Sequence, residues 1–426
     1  MFVYVLNKNG EALMPCKPRK ARVLLKEKKA KVVNRTPFTI QLLYGSSGYK
    51  QPVNLGVDAG SQYIGLSATT HKKELFKATV ELRQDISGLL ESRKILRRNR
   101  RNKLRYRPAR FNNRGKKGKL APSIQHKIDS HLTIIKRICN ILPIENIIVE
   151  TAEFDIHKLK NPEVYGVEYQ HGDGEGFYNV KSAVLSRDNY TCQICGVKQA
   201  KLEVHHIRSR SEGGSNRMDN LVVLCKDCHA KVHTGELDFT KKVKSFKHSS
   251  HMNIMRKKLI QSLKKEFRNV FEIFGYLTKY TREKLGLVKS HCNDAFVISH
   301  NLDAKQSNVE YSYKKVRRHN RQIHKFKPSK GGKRQRNQSP YIVNGFRRYD
   351  KVMYNGKGCF ITSKRSSGYF QLKTFDGTVI SQGVSSKRLK LLEPVKGWLI
   401  DWKWQFFPGL KRSGYLCHNK MKKKYQ

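Results

Sequence analysis

The most specific chemical signal in the chain is a set of four cysteines arranged as two Cys-x-x-Cys pairs. The first pair is Cys192 and Cys195, and the second is Cys225 and Cys228. Two such pairs place four thiolates tetrahedrally around one Zn²⁺ and complete its coordination shell. A zinc ion with four sulfur ligands has no open position for water. We therefore predict a structural zinc site, and the chemistry must come from other residues.

The other cysteines are scattered and lack the spacing of metal ligands. Nine cysteines are an odd number in a long chain, which argues against a disulfide framework. We expect the remaining five to be ordinary thiols: Cys16, Cys139, Cys292, Cys359 and Cys417.

Histidines lie between and after the two cysteine pairs. Alternating apolar and polar residues over 202–207 predict a strand that carries His205 and His206. His229 and His233 are four residues apart, so they share one face of a predicted helix. Neutral imidazoles suit a divalent metal of borderline softness, and a histidine with a pKa near 6.5 can act as a base at neutral pH. The alternative is that these histidines only extend the zinc fold.

This order of strand, strand and helix, with Asn220 before the second strand, resembles the HNH (ββα-metal) nuclease motif. The resemblance implies that one catalytic cation is bound by three ligands: His205, His229 and His233. It implies that His206 is the general base that deprotonates water and that Asn220 orients its imidazole through a hydrogen bond. The cation would stabilise the pentavalent phosphate and the leaving oxygen. Some related sites have a carboxylate at the position of His205, so the preferred metal stays open, with Mg²⁺ as our expectation.

Acidic residues on both sides of this module stand at the ends of predicted elements. Asp58 and Glu150 each end an apolar strand, and Asp294 lies three residues after His291 on one helical face. The arrangement resembles the RuvC branch of the RNase H-like fold, in which the acids meet at one end of a sheet and hold two Mg²⁺ ions. Clustered carboxylates repel one another unless cations bind between them, so a metal site is implied in which His291 positions metal or water. The alternative is that these are ordinary strand-end acids.

The periodicity predicts the elements that position these residues. A small N-terminal α+β module has a strand, a turn at Asn9-Gly10, a basic helix and a second strand. A β-hairpin then carries the first acid, and a buried strand carries the second. The predicted bounds are strands over 2–6, 38–43, 53–58, 63–68 and 147–150, and helices over 21–31, 124–142, 251–269 and 291–301.

Residues 92–114 contain eleven Lys or Arg and no acid. Their few apolar residues are too few for a core-facing stripe, so we predict a helix that lies in nucleic acid grooves. The alternative, a solvated charged face, normally mixes both signs. The candidate contacts are Arg93, Arg97, Arg98, Arg100, Arg101, Arg105, Arg107, Arg110 and Arg114.

The whole chain is strongly basic. Its 87 Lys and Arg against 33 Asp and Glu give a formal net charge of +54, which favours a polyanionic partner. An acidic membrane surface is the alternative, but no apolar run approaches the roughly 20 residues that span a bilayer. The N-terminus lacks the pattern of a signal peptide. We therefore expect a cytoplasmic, nucleoid-associated protein of a prokaryotic cell, with nucleic acid and no membrane as its partner.

The order of the segments resembles the IscB family of compact RNA-guided nucleases, which are related to type II CRISPR effectors. Leu13-Met14-Pro15 lies where the P-L-M-P motif of the family falls, with Ala12 in place of the first proline. The resemblance implies a fold class of α/β + α+β: an RNase H-like RuvC domain split by an Arg-rich bridge helix and an inserted HNH domain, with a small N-terminal module and a β-rich C-terminal domain. The expected bounds are 1–50 for the N-terminal module, 51–90, 116–160 and 246–327 for the RuvC-like segments, 91–115 for the bridge helix, 161–245 for the HNH domain, 328–340 for a linker and 341–426 for the C-terminal domain.

The resemblance implies a monomeric protein within a ribonucleoprotein, whose guide RNA pairs with double-stranded target DNA. The HNH site would cut the guide-paired strand and the RuvC-like site the displaced strand. By analogy, the C-terminal domain contacts a short flanking DNA motif, with Arg347, Arg348, Lys364 and Arg365 as candidates. Two alternatives stay open. One is a guide-independent HNH endonuclease or junction resolvase, and the other is a non-enzymatic, zinc-containing RNA-binding protein.

Overall fold

The computed structural model describes most of the chain and divides it into two compact units. One unit comprises residues 1–152 and 254–426, and the other comprises residues 153–253. In the helix Ile86–Leu104, side chains are described up to Arg98. In the helix that begins at Lys247, side chains are described from Met252 onward. The described residues are 2–46, 48–104, 120–151, 178–198, 200–209, 214, 216–237, 247–317, 324–325, 335–336 and 339–404.

These residues form a mixed α/β structure, which confirms the predicted mixture of helices and sheets. The helices are α1 Pro18–Lys26, α2 Ile86–Leu104, α3 Pro122–Cys139, α4 Val180–Arg187, α5 Lys226–Thr234, α6 Lys247–Glu266, α7 Gly275–Lys284 and α8 His291–Ile298. The strands are β1 Val3–Leu6, β2 Ala12–Cys16, β3 Ala30–Asn34, β4 Thr39–Leu42, β5 Asn54–Ala59, β6 Tyr63–Thr69, β7 Glu74–Glu81, β8 Asn146–Thr151, β9 Leu202–His206, β10 Leu221–Cys225, β11 Val270–Phe274, β12 Val309–Lys315, β13 His324–Lys325, β14 Gln335–Arg336, β15 Lys351–Tyr354, β16 Lys357–Lys364, β17 Tyr369–Lys373, β18 Val379–Ser385, β19 Lys390–Glu393 and β20 Trp398–Trp404.

A seven-stranded sheet forms the centre of the larger unit, in the order β11-β8-β5-β6-β7-β12-β20. Strands β5, β6 and β7 are antiparallel neighbours, whereas β8 runs parallel to β5 and β11 parallel to β8. Residues of a strand face opposite sides in alternation. Leu55 and Val57 therefore face the same core as Ile134 and Ile138 of α3. Gly56 and Asp58 face the other side, where α8 contacts β5 and β6.

Two glycines allow α8 to lie directly on the sheet. A Cβ at Gly56 would overlap the backbone carbonyl of Ala295, and a Cβ at Gly65 would overlap that of His291. Gly65 is also the direct partner of Asp58 in the antiparallel register. The close approach therefore brings the first turn of α8 next to the aspartate at the end of β5.

The N-terminal module is a four-stranded sheet, in the order β2-β1-β4-β3, with α1 packed beside it. The predicted helix over 21–31 was displaced: it begins at Pro18 and ends at Lys26. Proline is favoured in the first helical turn because its missing N–H would have no helical partner there. Lys28 adopts a positive φ of 56°, which turns the chain into β3 where the prediction had continued the helix.

The C-terminal part is β-rich, as predicted, and forms an antiparallel sheet in the order β18-β17-β16-β15-β19. Its core includes Val352, Ile361 and Phe370. The next strand, β20, leaves this sheet and pairs with β12 at the edge of the central sheet. Most of the predicted linker at 328–340 lies outside the described residues. Among the residues that are described, no helix is long and apolar enough to cross a membrane.

The smaller unit contains the antiparallel pair β9 and β10 together with α4 and α5. Register pairs His205 with Val222 and His206 with Leu221. The apolar residues of β10 are buried against α4 on one side and the cysteine-rich core on the other. This hairpin and α5 carry the metal-binding candidates of the unit.

Candidate metal centres

The four predicted zinc ligands lie together. Their sulfur atoms are all within 4.8 Å of one another, and Cys195 Sγ lies 3.7 Å from Cys225 Sγ. Cys225 ends β10 and also precedes α5, so its sulfur accepts a hydrogen bond from the backbone N–H of Cys228 at 3.5 Å. On the other side, the N–H of Cys192 donates to the carbonyl of Val197 and closes a tight loop. The Cys-x-x-Cys spacing and the strand-to-helix turn thus form a compact tetrathiol site.

The electrostatics of this cluster fit a bound cation. Burial alone would raise the pKa of Cys192, but backbone N–H groups, including those of Cys195 and Cys225, lower it to about 6. Burial and the neighbouring thiols raise the pKa of Cys228 to about 12. Four sulfur atoms this close cannot all ionise at neutral pH without a positive charge between them. A Zn²⁺ ion supplies that charge and prefers this ligand set.

Three histidines form a second cluster in the same unit. Nitrogen atoms of His205, His229 and His233 all lie within 4.8 Å of one another. Nε2 of His233 is 3.1 Å from Nε2 of His229, as expected for residues one helical turn apart on α5. Burial and the nearby imidazoles lower the pKa of His205 to about 4, so that ring is neutral at pH 7. Three imidazoles that converge in this way can bind one divalent cation.

Glu203 is a residue of this site that the motif alone did not identify. Its Oε2 accepts a hydrogen bond from Nδ1 of His229 at 2.6 Å. Because the ring proton is then on Nδ1, the free lone pair of His229 is on Nε2, the atom that faces His233. A signal was present in the sequence, since Glu203 lies two residues before His205 on β9 and therefore shares its side of the strand. Carboxylates that orient metal-binding histidines in this way are common.

The predicted general base has a partner that was not predicted. Nε2 of His206 lies 3.0 Å from Oδ1 of Asn216. Asn220 is buried, and its amide group bonds both backbone polar groups of Arg208, at 2.9 and 3.1 Å. Asn220 therefore holds the chain two residues beyond His206. Its direct hydrogen bond to His206 stays a prediction.

In the larger unit, the fold brings the predicted acidic residues into one region. Val57 and Val149 are register partners, so the next residues, Asp58 and Glu150, lie side by side at the ends of β5 and β8. Nδ1 of His291 donates to Oδ2 of Asp58 at 2.6 Å, which raises the pKa of His291. Asp294 lies on the same first turn of α8 as His291.

The charges of these carboxylates act on one another. Burial, followed by the charge of Asp58, raises the pKa of Glu150 to about 7. Burial and the charge of Asp58 also raise the pKa of Asp294. In the part of the chain that the structure describes, the acids are not drawn together as tightly as the cysteine and histidine clusters. The arrangement is a set of neighbouring carboxylates that a divalent cation would draw closer.

Two buried arginines neutralise part of this acidic region, and sequence reasoning missed both. Nη2 of Arg256 on α6 lies 3.4 Å from Glu150, and Nε of Arg282 on α7 lies 3.2 Å from Asp294. Each arginine is only 6% exposed. These pairs join residues on different elements, so no local spacing in the sequence indicated them.

The predicted nucleic-acid contacts are only partly within the described residues. Arg93, Arg97 and Arg98 are exposed on α2. Arg100 and Arg101 belong to the same helix, but their side chains lie outside the described set, as do the residues Arg105, Arg107, Arg110 and Arg114. In the C-terminal part, Arg348 precedes β15 and donates to the carbonyl of Thr362 at 2.8 Å, so part of its hydrogen-bonding capacity supports the fold. Its neighbour Arg347 is half-buried.

Comparisons with known proteins match two segments of the chain to families. A model of the RRXRR protein family matches residues 3–172, and a model of the HNH endonuclease family matches residues 192–235. The second match contains both the cysteine and the histidine clusters. The chain therefore carries an HNH endonuclease domain, as the motif predicted, and the presence of this domain supports assignment of the chain as a nuclease.

Individual relatives match shorter stretches. Anaredoxin from Nostoc sp. is 41% identical over 54 residues, which cover 13% of this chain and 71% of the relative. The type IV methyl-directed restriction enzyme EcoKMcrA of Escherichia coli is 34% identical over 86 residues, which cover 18% of this chain and 29% of the enzyme.

Among solved structures, Streptococcus thermophilus Cas9 in complex with the GGAA PAM matches with a TM-score of 0.32 and 14% identity. The match covers 49% of this chain and 30% of Cas9. Cas9 of the same organism with the AGAA PAM gives a TM-score of 0.31 at 13% identity, over 48% of this chain and 30% of Cas9. The chain thus spans less than a third of the length of Cas9 and of the restriction enzyme. A TM-score of this size does not establish a shared overall fold.

Proposed function

This chain belongs to the IscB-like family of compact nucleases, and we propose that it is an RNA-guided DNA endonuclease with two separate cutting sites. The observation that supports this most directly is the presence of two candidate cation sites in two different compact units. The histidine cluster lies in the HNH unit, and the acidic region lies on the central sheet of the other unit. Each site has its own ligands, so each can act on one DNA strand.

At the HNH site, the histidine cluster would hold a divalent cation, with Mg²⁺ as the proposed metal. When bound, the cation stabilises negative charge on the phosphate and on the leaving oxygen. His206 would accept the proton of the attacking water, and Asn220 would hold the backbone beyond it through Arg208. Glu203 would keep His229 in the tautomer that binds metal. The cysteine cluster would hold Zn²⁺ and brace the strand-to-helix turn.

The acidic region would form the second site, on an RNase H-like sheet. Along the chain, the antiparallel strands β5, β6 and β7 come first, and β8 and β11 then run parallel to β5. The resulting sheet order, β7-β6-β5-β8-β11, supports this proposal. Asp58, Glu150 and Asp294 would hold Mg²⁺, which offsets their mutual repulsion. His291, which donates to Asp58, would position Asp58 or the attacking water.

The charge of the chain supports a large nucleic acid partner. A net charge of +54 makes the chain repel itself, and a bound polyanion lowers that repulsion. Exposed arginines of α2 offer contacts to phosphates. We propose a guide RNA and double-stranded target DNA as partners of a single protein chain, with the HNH site on the guide-paired strand and the acidic site on the displaced strand.

The HNH assignment is tested with His206→Ala. The variant should lose its general base and become a nickase that cuts only the displaced strand of a plasmid. His71→Ala, which changes an exposed histidine in a turn of the other unit, serves as the control and should cut both strands. Continued double-strand cutting by His206→Ala would contradict the assignment.

The second site is tested with Asp58→Ala. Loss of this central carboxylate should leave a nickase that cuts only the guide-paired strand. Asp303→Ala removes an exposed aspartate of the same unit and should leave both cuts intact. If strand-specific end-labelling finds both cuts in Asp58→Ala, the acidic region is not a nuclease site.

A guide-independent HNH endonuclease remains the second candidate, because EcoKMcrA is a restriction enzyme that matches part of the chain. The two candidates differ in their need for RNA. The protein purified from its host should carry one discrete long RNA, and ribonuclease treatment should abolish site-specific cutting. Site-specific cutting by RNA-free protein would favour the restriction-type function.

A further inference from the structure

Three aromatic side chains stand exposed at the edge of the central sheet. Phe274 ends β11, and Tyr276 and Tyr280 follow on α7, with exposed fractions of 60%, 69% and 66%. The rings of Phe274 and Tyr276 are stacked, with centroids 5.9 Å apart and planes 17° from parallel. We call these three residues the aromatic platform. Large apolar rings are normally buried, so a group of them in water indicates a binding surface.

Two residues of the platform lie on the helix that also contacts the acidic region. Tyr276 and Tyr280 are four residues apart and therefore share one face of α7. Thr278 and Arg282 lie on the buried face, and Arg282 pairs with Asp294 at 3.2 Å. Tyr280 and Arg282 are separated by only ~3 Å along the helix axis. A ligand on the platform is thus held by the same helix that contacts a proposed metal-binding carboxylate.

The charge around the platform suits a negatively charged ligand. Lys279, Lys284 and Lys289 are exposed on this segment. The nearby acids are already paired: Glu272 with Lys264 at 2.8 Å, and Glu283 with Arg282 at 3.7 Å. Exposed aromatic rings between exposed lysines can stack on bases while the cations contact the phosphates.

We propose that the aromatic platform binds unpaired bases of the displaced DNA strand and leads that strand to the acidic site. Bases within a duplex are stacked on their neighbours and cannot lie on protein rings, whereas every unpaired base has an open face. The platform therefore selects single strands without reading their sequence. The proposal rests on the proposed function of the acidic region, because the displaced strand is named as the ligand on the ground that the acidic site cuts it.

Photocrosslinking tests the platform without requiring cleavage. The purified protein is mixed with a DNA bubble that carries 5-iododeoxyuridine in one unpaired strand, with Ca²⁺ in place of Mg²⁺ to keep the DNA intact. Crosslinked peptides are then mapped by mass spectrometry, and the yield on α7 is followed against DNA concentration. Tyr276→Ala/Tyr280→Ala is compared with Tyr276→Phe/Tyr280→Phe, which keeps both rings. Tyr190→Ala removes an exposed ring of the other unit as a further control.

The expected result is a crosslink at Tyr276, Tyr280 or Phe274 that the bubble gives and the matched duplex does not. The double alanine variant should need roughly fivefold to a hundredfold more DNA for the same yield on α7, since this is the usual effect of one lost base stack. The phenylalanine variant should match the parent. Unchanged thermal unfolding of the alanine variant shows that the fold is intact.

Three outcomes would overturn the proposal: no crosslink on α7, equal yield in the alanine variant, or preference for a single-stranded RNA of the same sequence. A change from dimer to monomer in the alanine variant would instead assign the platform to a contact between two copies, and so also overturn it. Failure of the acidic site is seen separately, because Asp58→Ala would then leave both DNA cuts while the crosslink on α7 is retained.

Discussion

The hydrogen bond between Glu203 and His229 allows a sharp test of the histidine cluster. Glu203→Ala removes the acceptor that holds Nδ1 of His229 at 2.6 Å. The imidazole then becomes free to rotate and to carry its proton on Nε2, the atom that would bind the metal. We expect weaker binding of a divalent cation at this cluster, with little change in the fold.

The size of the effect follows from the geometry. Loss of a residue that orients a metal ligand typically weakens metal binding 10- to 100-fold. The Glu203 side chain is 36% exposed, so water can replace part of the lost bond. We therefore expect the lower half of that range, about 10- to 30-fold, or about 1.4–2 kcal/mol. Glu203→Gln keeps a neutral acceptor and should lose only about threefold, because charge-assisted bonds are roughly twice as strong as neutral ones.

The assay is calorimetric titration with Mn²⁺ of protein whose cysteine cluster is loaded with zinc. An Asp58→Ala background weakens binding at the acidic region, so that the titration reports the histidine cluster. Glu236→Ala removes a nearby glutamate that bonds the Thr234 hydroxyl and serves as the matched control. Equal Mn²⁺ affinity in Glu203→Ala and its parent would refute the reasoning. A loss of zinc in that variant would show that Glu203 supports the zinc fold instead.

Three other predictions concern the zinc cluster, the close helix contact and the raised pKa. Cys228→Ser should reduce bound zinc from one ion per chain to none, measured by atomic absorption, and should expose residues 178–237 to proteolysis. Gly65→Ala forces a Cβ onto the carbonyl of His291 and should abolish displaced-strand cutting while the guide-paired strand is still cut; Gly88→Ala, where a Cβ meets nothing within 4 Å, should cut both strands. The pKa of Glu150 rises from an ordinary 4.5 to about 7, so its protonation favours the folded state. Its contribution to stability should be full below pH 4.5 and lost as the pH rises to about 7, and Glu150→Gln should flatten the melting temperature across that window; an unchanged pH profile would contradict the assignment.

Short-range patterns in the sequence predicted the candidate metal-binding clusters of the HNH unit. Local geometry brings together the two sulfur atoms of each Cys-x-x-Cys pair and the two histidines that are four apart on a helix. The fold then joins the two cysteine pairs, and it joins His205 to the histidines of α5. The cysteine and histidine clusters accordingly lie as expected. The hairpin of β5 and β6 was also predicted, because alternation and a glycine turn are local signals.

Predictions of where a helix ends, and of which strands pair, were less successful. The first helix ends at Lys26 because the backbone turns at Lys28, and the apolar pattern carried no sign of that turn. Strand β20 reads as one more strand of the C-terminal sheet, yet it pairs with β12 of the central sheet. Its pattern of residues is compatible with either sheet, so only packing decided between them.

The sequence by itself determined the chemistry that is available: thiolates, imidazoles and carboxylates at spacings that bind metal, within a chain of large positive charge. Only the tertiary structure decided which other groups act on them. Arg256 reaches Glu150 across 106 positions of sequence, and Glu203 reaches His229 across 26. Hydrogen bonds and ion pairs act over a few ångströms, and the folding of distant elements sets those distances, whereas the spacing of a motif is set by the chain itself.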